Sequence, residues 1–115
     1  MFIGIDLGTS SIKVILVDES QKIISHTNKS IKILNPKPGF YEQDPNSWYE
    51  ATIKCFQILK KKFPKEFSSV EAIGISGQMH GATLIDKNNL ILRPCILWND
   101  TRSVKHCVQM EKRYP

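Results

Sequence analysis

This 115-residue chain has little with which to build covalent or metal cross-links. Its cysteines, Cys55, Cys95 and Cys107, are odd in number and show no C-x-x-C spacing. That excludes a disulfide framework or a zinc site and leaves reduced thiols as the expectation. No apolar run approaches the length needed to span a bilayer, and the start lacks a basic segment followed by a long apolar one. We therefore expect no membrane association and a cytoplasmic location. Repeats, low-complexity tracts and linkers are absent as well. Aromatics interleaved with basic residues, the pattern of a nucleic-acid surface, are also missing. Lys and Arg number 16 against 11 Asp and Glu, a net charge of +5, yet they are spread along the chain. The one basic run, Lys60 to Lys62, falls where a helix should end and where cations complement the macrodipole. No nucleic-acid partner is expected.

What the chain does have is 41% hydrophobic and 23% charged residues, the balance of one globular domain able to bury a core. Its organising stretch is Met1 to Lys13. An apolar strand carrying Phe2, Ile3 and Ile5 runs into Asp6, Gly8, Thr9, Ser10, Ser11 and Lys13. A glycine that lets backbone N–H groups approach closely, small hydroxyls and a cation outline a phosphate site. Asp6 would repel a phosphate, so its natural work is to hold a magnesium ion that bridges to one. The same residues also read as a plain hairpin with its turn at Gly8 to Ser11.

Ile12 to Asp18 and Lys22 to Ser30 read as second and third strands of an antiparallel meander, which Ile31 to Leu34 could extend. Asn35 to Phe40, with two prolines and a glycine, is a loop. Asp44 as N-cap and Pro45 at the first helical position begin a helix that should end near Lys62, before Pro64. Trp48, Thr52, Cys55, Phe56, Leu59 and Phe63 form its core-facing stripe. Val70 to Ser76 is a strand ending in the turn Gly77 to Gly81. Ala82 to Asp86 and Leu90 to Cys95 read as a small hairpin, and a last helix runs from about Thr101 to Arg113 with Val104, Cys107 and Val108 on its apolar face. A strand reached by a helical crossover pairs parallel with an earlier one, so the turns after Asp6 and after Ser76 should share one sheet edge. This order is the opening of a ribonuclease-H-like α/β fold.

Met79 and His80, between Gly77 and Gly81, suit a polyol: a histidine can donate and accept hydrogen bonds, although a lone histidine at a strand end is often structural. Trp98 reads as core rather than as a sugar-facing ring. Asp100 is read equally as a ligand or a helix cap. A two-metal nuclease would need carboxylate partners that Asp6 lacks.

Four stretches carry a resemblance: I-G-I-D-L-G-T-S at 3 to 10, E-Q-D-P-x-x-W at 42 to 48, G-Q-M-H-G-A-T-L at 77 to 84, and L-R-P-C-I-L-W-N-D-T-R at 92 to 102. Together they resemble the N-terminal part of the FGGY carbohydrate kinase family, in its xylulose kinase branch, which has the fold of the sugar kinase, actin and heat-shock ATPase superfamily. The resemblance implies an incomplete first kinase domain over residues 1 to 115, the second domain lying elsewhere. It implies ATP and Mg2+ as cofactors and D-xylulose as substrate. By position, Asp6 resembles the magnesium-associated carboxylate. Gly8, Thr9, Ser10, Ser11 and Lys13 fall on the phosphate motif, Met79 and His80 on the sugar-contacting pair, with Gln78 and Asp100 beside them. Ser11 and Ile12 replace the Gly and Val of many relatives. No residue here matches the family's general-base aspartate, so this chain alone is expected to be inactive and its longer parent active, a homodimer being one form open to that parent. The alternative is a non-catalytic sugar-binding or regulatory module of the same fold.

Overall fold

The computed structural model describes residues 1–114. Its main sheet has four strands in the order Ile23–Ser30, Ser11–Val17, Phe2–Leu7, Ala72–Ser76. β1 (Phe2–Leu7), β2 (Ser11–Val17) and β3 (Ile23–Ser30) form the expected antiparallel meander. α1 (Pro45–Lys62) then crosses over to β5 (Ala72–Ser76), which pairs parallel with β1, Asp6 opposite Ser76.

Alternation along the strands divides the sheet into two unlike faces. Ile3, Ile12, Val14 and Leu16 are buried with Ala51, Cys55 and Leu59 of α1. Burial also pushes the Cys55 thiol up, so this cysteine is a neutral core residue. The opposite face carries Gly4, Asp6, Lys13 and Ile15 along an open groove. α1 begins as expected: the Asp44 carboxylate accepts from the Asn46 N–H at 3.0 Å, Pro45 follows, and Lys60, Lys61 and Lys62 close the last turn. Ala51 joins the expected stripe, while Trp48, Phe56 and Phe63 are only partly buried.

Four features depart from the sequence reading. A five-residue helix, α2 (Pro64–Ser68), follows α1 directly. Two-residue strands β4 (Glu42–Gln43) and β6 (Cys95–Ile96) pair antiparallel in a second small sheet. Cys95 therefore belongs to β6 and not to a hairpin arm. Pro94 has no N–H for a ladder, and the expected hairpin shrinks to the Ile85–Ile91 bridge around an Asp86 turn. Finally, α3 (Val104–Arg113) starts three residues later than expected, because Arg102 is drawn inward by Asp100. Val104 and Val108 on α3, and Ile73 and Ile75 on β5, are exposed among the described residues. No helix among these residues is long and apolar enough to cross a membrane.

Candidate active site

Two turns meet at the carboxyl edge of β1 and β5. The first, Gly8 to Ser10, joins β1 to β2 as the turn of the antiparallel hairpin. Gly8 is needed for steric reasons: a Cβ there would stand 2.9 Å from the Ser11 carbonyl oxygen. The Gly8 N–H itself donates to that oxygen at 3.0 Å, so it closes the turn instead of facing outward. The second turn, Gly77 to Gly81, places His80 at φ +61°, a left-handed backbone that costs a non-glycine residue about 1 kcal/mol. A side chain at Gly81 would crowd the Cys95 sulfur at 3.1 Å, whereas one at Gly77 would meet only ordinary contacts.

Between the turns lies a cavity of about 420 Å³. Asp6 to Thr9 contribute one side, Gly77 to His80 another, and Trp98 completes the lining. Trp98 is thus not core: it is 60% exposed, and its indole N–H lies 3.3 Å from the Thr9 hydroxyl. It stands just past the end of β6, in a turn that the Asp100 N–H closes onto the Leu97 carbonyl at 3.1 Å, while Cys95 and Leu97 before it are buried. Met79 and His80 are exposed at the mouth. The Asp6 carboxylate accepts from the Ser76 hydroxyl at 3.0 Å. Lys13 is its cross-strand partner and lines the neighbouring groove with it.

The remaining expected residues lie apart from the cavity. Ser10 and Ser11 do not line it; the Ser10 carbonyl accepts from the Ile31 N–H at 2.8 Å. Asp100 does not line it either. Its two oxygens receive the Arg102 side chain at 2.8 and 2.7 Å, together with the Arg102 and Tyr41 backbone N–H groups. The Arg102 side chain holds the Asp100 carboxyl far below the usual carboxylate range, the two N–H groups add to the effect, and burial opposes it. It does not cap α3, whose N-cap is Ser103. Instead it anchors Arg102, which reaches Glu42 at 2.7 Å and stacks 4.0 Å over the Phe40 ring.

Gln43 was not singled out from the sequence. It is fully buried; its Nε2 donates to the Thr9 carbonyl at 2.6 Å, and its Oε1 accepts from the Trp48 indole and from Gln78 Nε2, both at 3.0 Å. Gln78 Nε2 also donates to the Gly8 carbonyl at 3.2 Å, while its Oε1 is buried without a partner among the described residues. The sequence signal for Gln43 is its place in the E-Q-D-P stretch, where the neighbouring Asp44 and Pro45 mark a helix start.

As a metal site this edge is sparse. The described residues hold no group of three His, Cys, Asp or Glu side chains that could cage an ion. One exposed carboxylate fits Mg2+ of the kind that keeps its waters and is carried by substrate phosphates.

A meander that crosses through α1 and α2 to a parallel strand, with two turns meeting over a cavity at the shared carboxyl edge, has the mixed α/β fold of sugar kinases of the actin and heat-shock ATPase class. Comparison with known proteins narrows this: a model of the "FGGY family of carbohydrate kinases, N-terminal domain" matches residues 1–114, and the chain belongs to that family. It is 44% identical over 115 residues to a xylulose kinase of Escherichia coli strain K12, covering all of this chain and 23% of that protein. Among solved structures, a kinase of Brucella ovis described as a xyloylose kinase superposes with a TM-score of 0.92 at 45% identity, over 96% of this chain and 23% of that one. Plasmodium falciparum glycerol kinase with ADP gives 0.89 at 28% identity, over all of this chain and 24% of that one. The chain thus spans about a quarter of the length of these relatives.

Proposed function

We propose that this chain provides the sugar turn and the first phosphate turn of a longer enzyme that transfers the γ-phosphate of ATP to D-xylulose, giving D-xylulose 5-phosphate. The observation that carries the reading is the single cavity shared by Asp6, Gly8 and Thr9 with Gln78, Met79 and His80. Phosphoryl transfer is largely a matter of positioning and charge neutralisation, so a site that sets two substrates at a fixed separation serves it directly.

In this reading Asp6 holds Mg2+, which neutralises charge on the phosphates when bound. Its exposure and its single side-chain contact with Ser76 leave it able to do so. Thr9 and Ser10 offer hydroxyls and N–H groups to phosphate oxygens, Ser11 stands at the start of β2, and Lys13 adds positive charge beside Asp6. Met79 gives an apolar surface, while His80 and Gln78 give directional hydrogen bonds to sugar hydroxyls. Asp100, whose carboxylate is already engaged by Arg102, serves the sugar site by holding the segment that carries Trp98. The general base and most of the adenosine pocket come from the longer protein.

The test is a coupled assay of the full-length protein with Mg-ATP and a panel of D-xylulose, glycerol and gluconate. The expected result is phosphorylation of D-xylulose in preference to the other two, with residues 1 to 115 alone inactive. A preference for glycerol or gluconate would refute the substrate assignment, and turnover by residues 1 to 115 would refute the division of labour.

A further inference from the structure

We propose that Gln43 is a positioning residue for phosphate binding, acting with Gln78 through the backbone of the first turn; this rests on the phosphate role proposed above. In a trans peptide the carbonyl of one residue and the N–H of the next point in opposite directions. Gln78 Nε2 holds the Gly8 carbonyl and Gln43 Nε2 holds the Thr9 carbonyl. The N–H groups of Thr9 and Ser10 are thereby turned away from both glutamines. Neither donates a hydrogen bond among the described residues, so both remain available to an anion. The Gly8 N–H, by contrast, is consumed within the turn.

The hydrogen-bond inventory fixes which way each amide faces. Gln78 Nε2 meets two acceptors, the Gly8 carbonyl and Gln43 Oε1, so a flipped Gln78 would set oxygen against oxygen. Gln43 Oε1 receives two donors, from Trp48 and Gln78, which leaves its Nε2 for Thr9. Gln43 therefore ties together the phosphate turn, the sugar turn and the first turn of α1. Because Gln78 immediately precedes Met79 and His80, the same pair of amides also sets the separation of the two turns.

The decisive experiment measures Mg-ADP affinity of the full-length protein by calorimetry, with circular dichroism to confirm folding. Gln43→Met keeps the side-chain length and removes all three bonds; we expect affinity to fall about tenfold, the worth of one or two aligned hydrogen bonds. Gln78→Met, on a partly exposed turn, should fall by a similar factor, and the double variant should lose much less than the product of the two, because both amides act on one turn. If Gln43→Met does not fold, Gln78→Met decides alone, ADP making no use of a sugar contact. Mg-ADP affinity within twofold of wild type in a folded variant overturns the proposal, as does full multiplicative loss in the double variant. Failure of the sugar assignment is distinguishable: a wild-type protein that ignores D-xylulose, with Mg-ADP affinity still lowered by Gln43→Met, discards the sugar and keeps the positioning role.

Discussion

Glu42 and Gln43 are neighbours on a two-residue strand, yet they serve opposite sides of the molecule. Alternation sends their side chains apart. Glu42 enters an ionic cluster in which Arg93 and Arg102 both reach its Oε1, at 2.8 and 2.7 Å, and Arg102 in turn holds Asp100. Gln43 enters a neutral amide network that touches both turns of the cavity. Charge is used where a long segment, residues 93 to 102, must be pinned to the body. Neutral amides are used beside the turn proposed to bind phosphate, where a fixed carboxylate would repel an anion and a fixed cation would compete with a metal ion for it. The first network should govern stability and the second should govern ligand affinity.

The comparison can be tested from its largest expected effect downward. Asp6→Asn removes the carboxylate that lines the cavity, whose one side-chain hydrogen bond among the described residues comes from Ser76. Phosphoryl transfer by the full-length protein should drop about 10³-fold with an unchanged melting profile, in the range for loss of one charge-stabilising group. Glu42→Gln removes the carboxylate that Arg93 and Arg102 share, leaving Arg102 with Asp100 and Arg93 with no carboxylate among the described residues. The cost should be about 2 kcal/mol in denaturant unfolding, below the figure for a fully buried pair because Arg93 is 43% exposed on its side chain.

The pH dependence of unfolding carries a sign set by Asp100. Its carboxyl titrates lower folded than unfolded, so its contribution is complete above the ordinary value of 3.8 and is lost as pH falls below it. Wild-type stability should decline below about pH 4. Asp100→Asn should flatten that part of the curve, and an unchanged slope would remove Asp100 from the cluster's energetics. The smallest effect concerns His80. Replacing it by glycine relieves the left-handed backbone and should raise stability by about 0.5 kcal/mol while weakening sugar binding. A loss of stability instead would mean that His80 packs as a structural residue.

The meander, α1 and the parallel return to β5 were legible in the chain because each rests on periodicity or on a strong boundary signal, such as Asp44 with Pro45. The shared edge of the two turns followed from that topology. The two-residue strands β4 and β6 were not legible, since so short a strand has no period to read. The role of Gln43 depends on that hidden pairing, which brings residues 42 and 43 beside 95 and 96. Trp98 was misplaced for a related reason. In an apolar run a tryptophan reads as core until the end of the strand is known, and here β6 stops at Ile96 and the turn that follows leaves Trp98 exposed beside buried Leu97. Asp100 offered two local roles, ligand and cap; its partners Tyr41 and Arg102 give it another, and Tyr41 lies 59 positions away.

The most direct test places Glu42→Gln and Gln43→Met side by side in the full-length protein, with unfolding free energy and Mg-ADP affinity measured for each. Glu42→Gln should lower stability and leave affinity within twofold of wild type. Gln43→Met should lower affinity about tenfold beyond any effect of Glu42→Gln, as expected when aligned hydrogen bonds are lost at a ligand site. Affinities that simply follow stability across both variants would contradict the separation of the two networks.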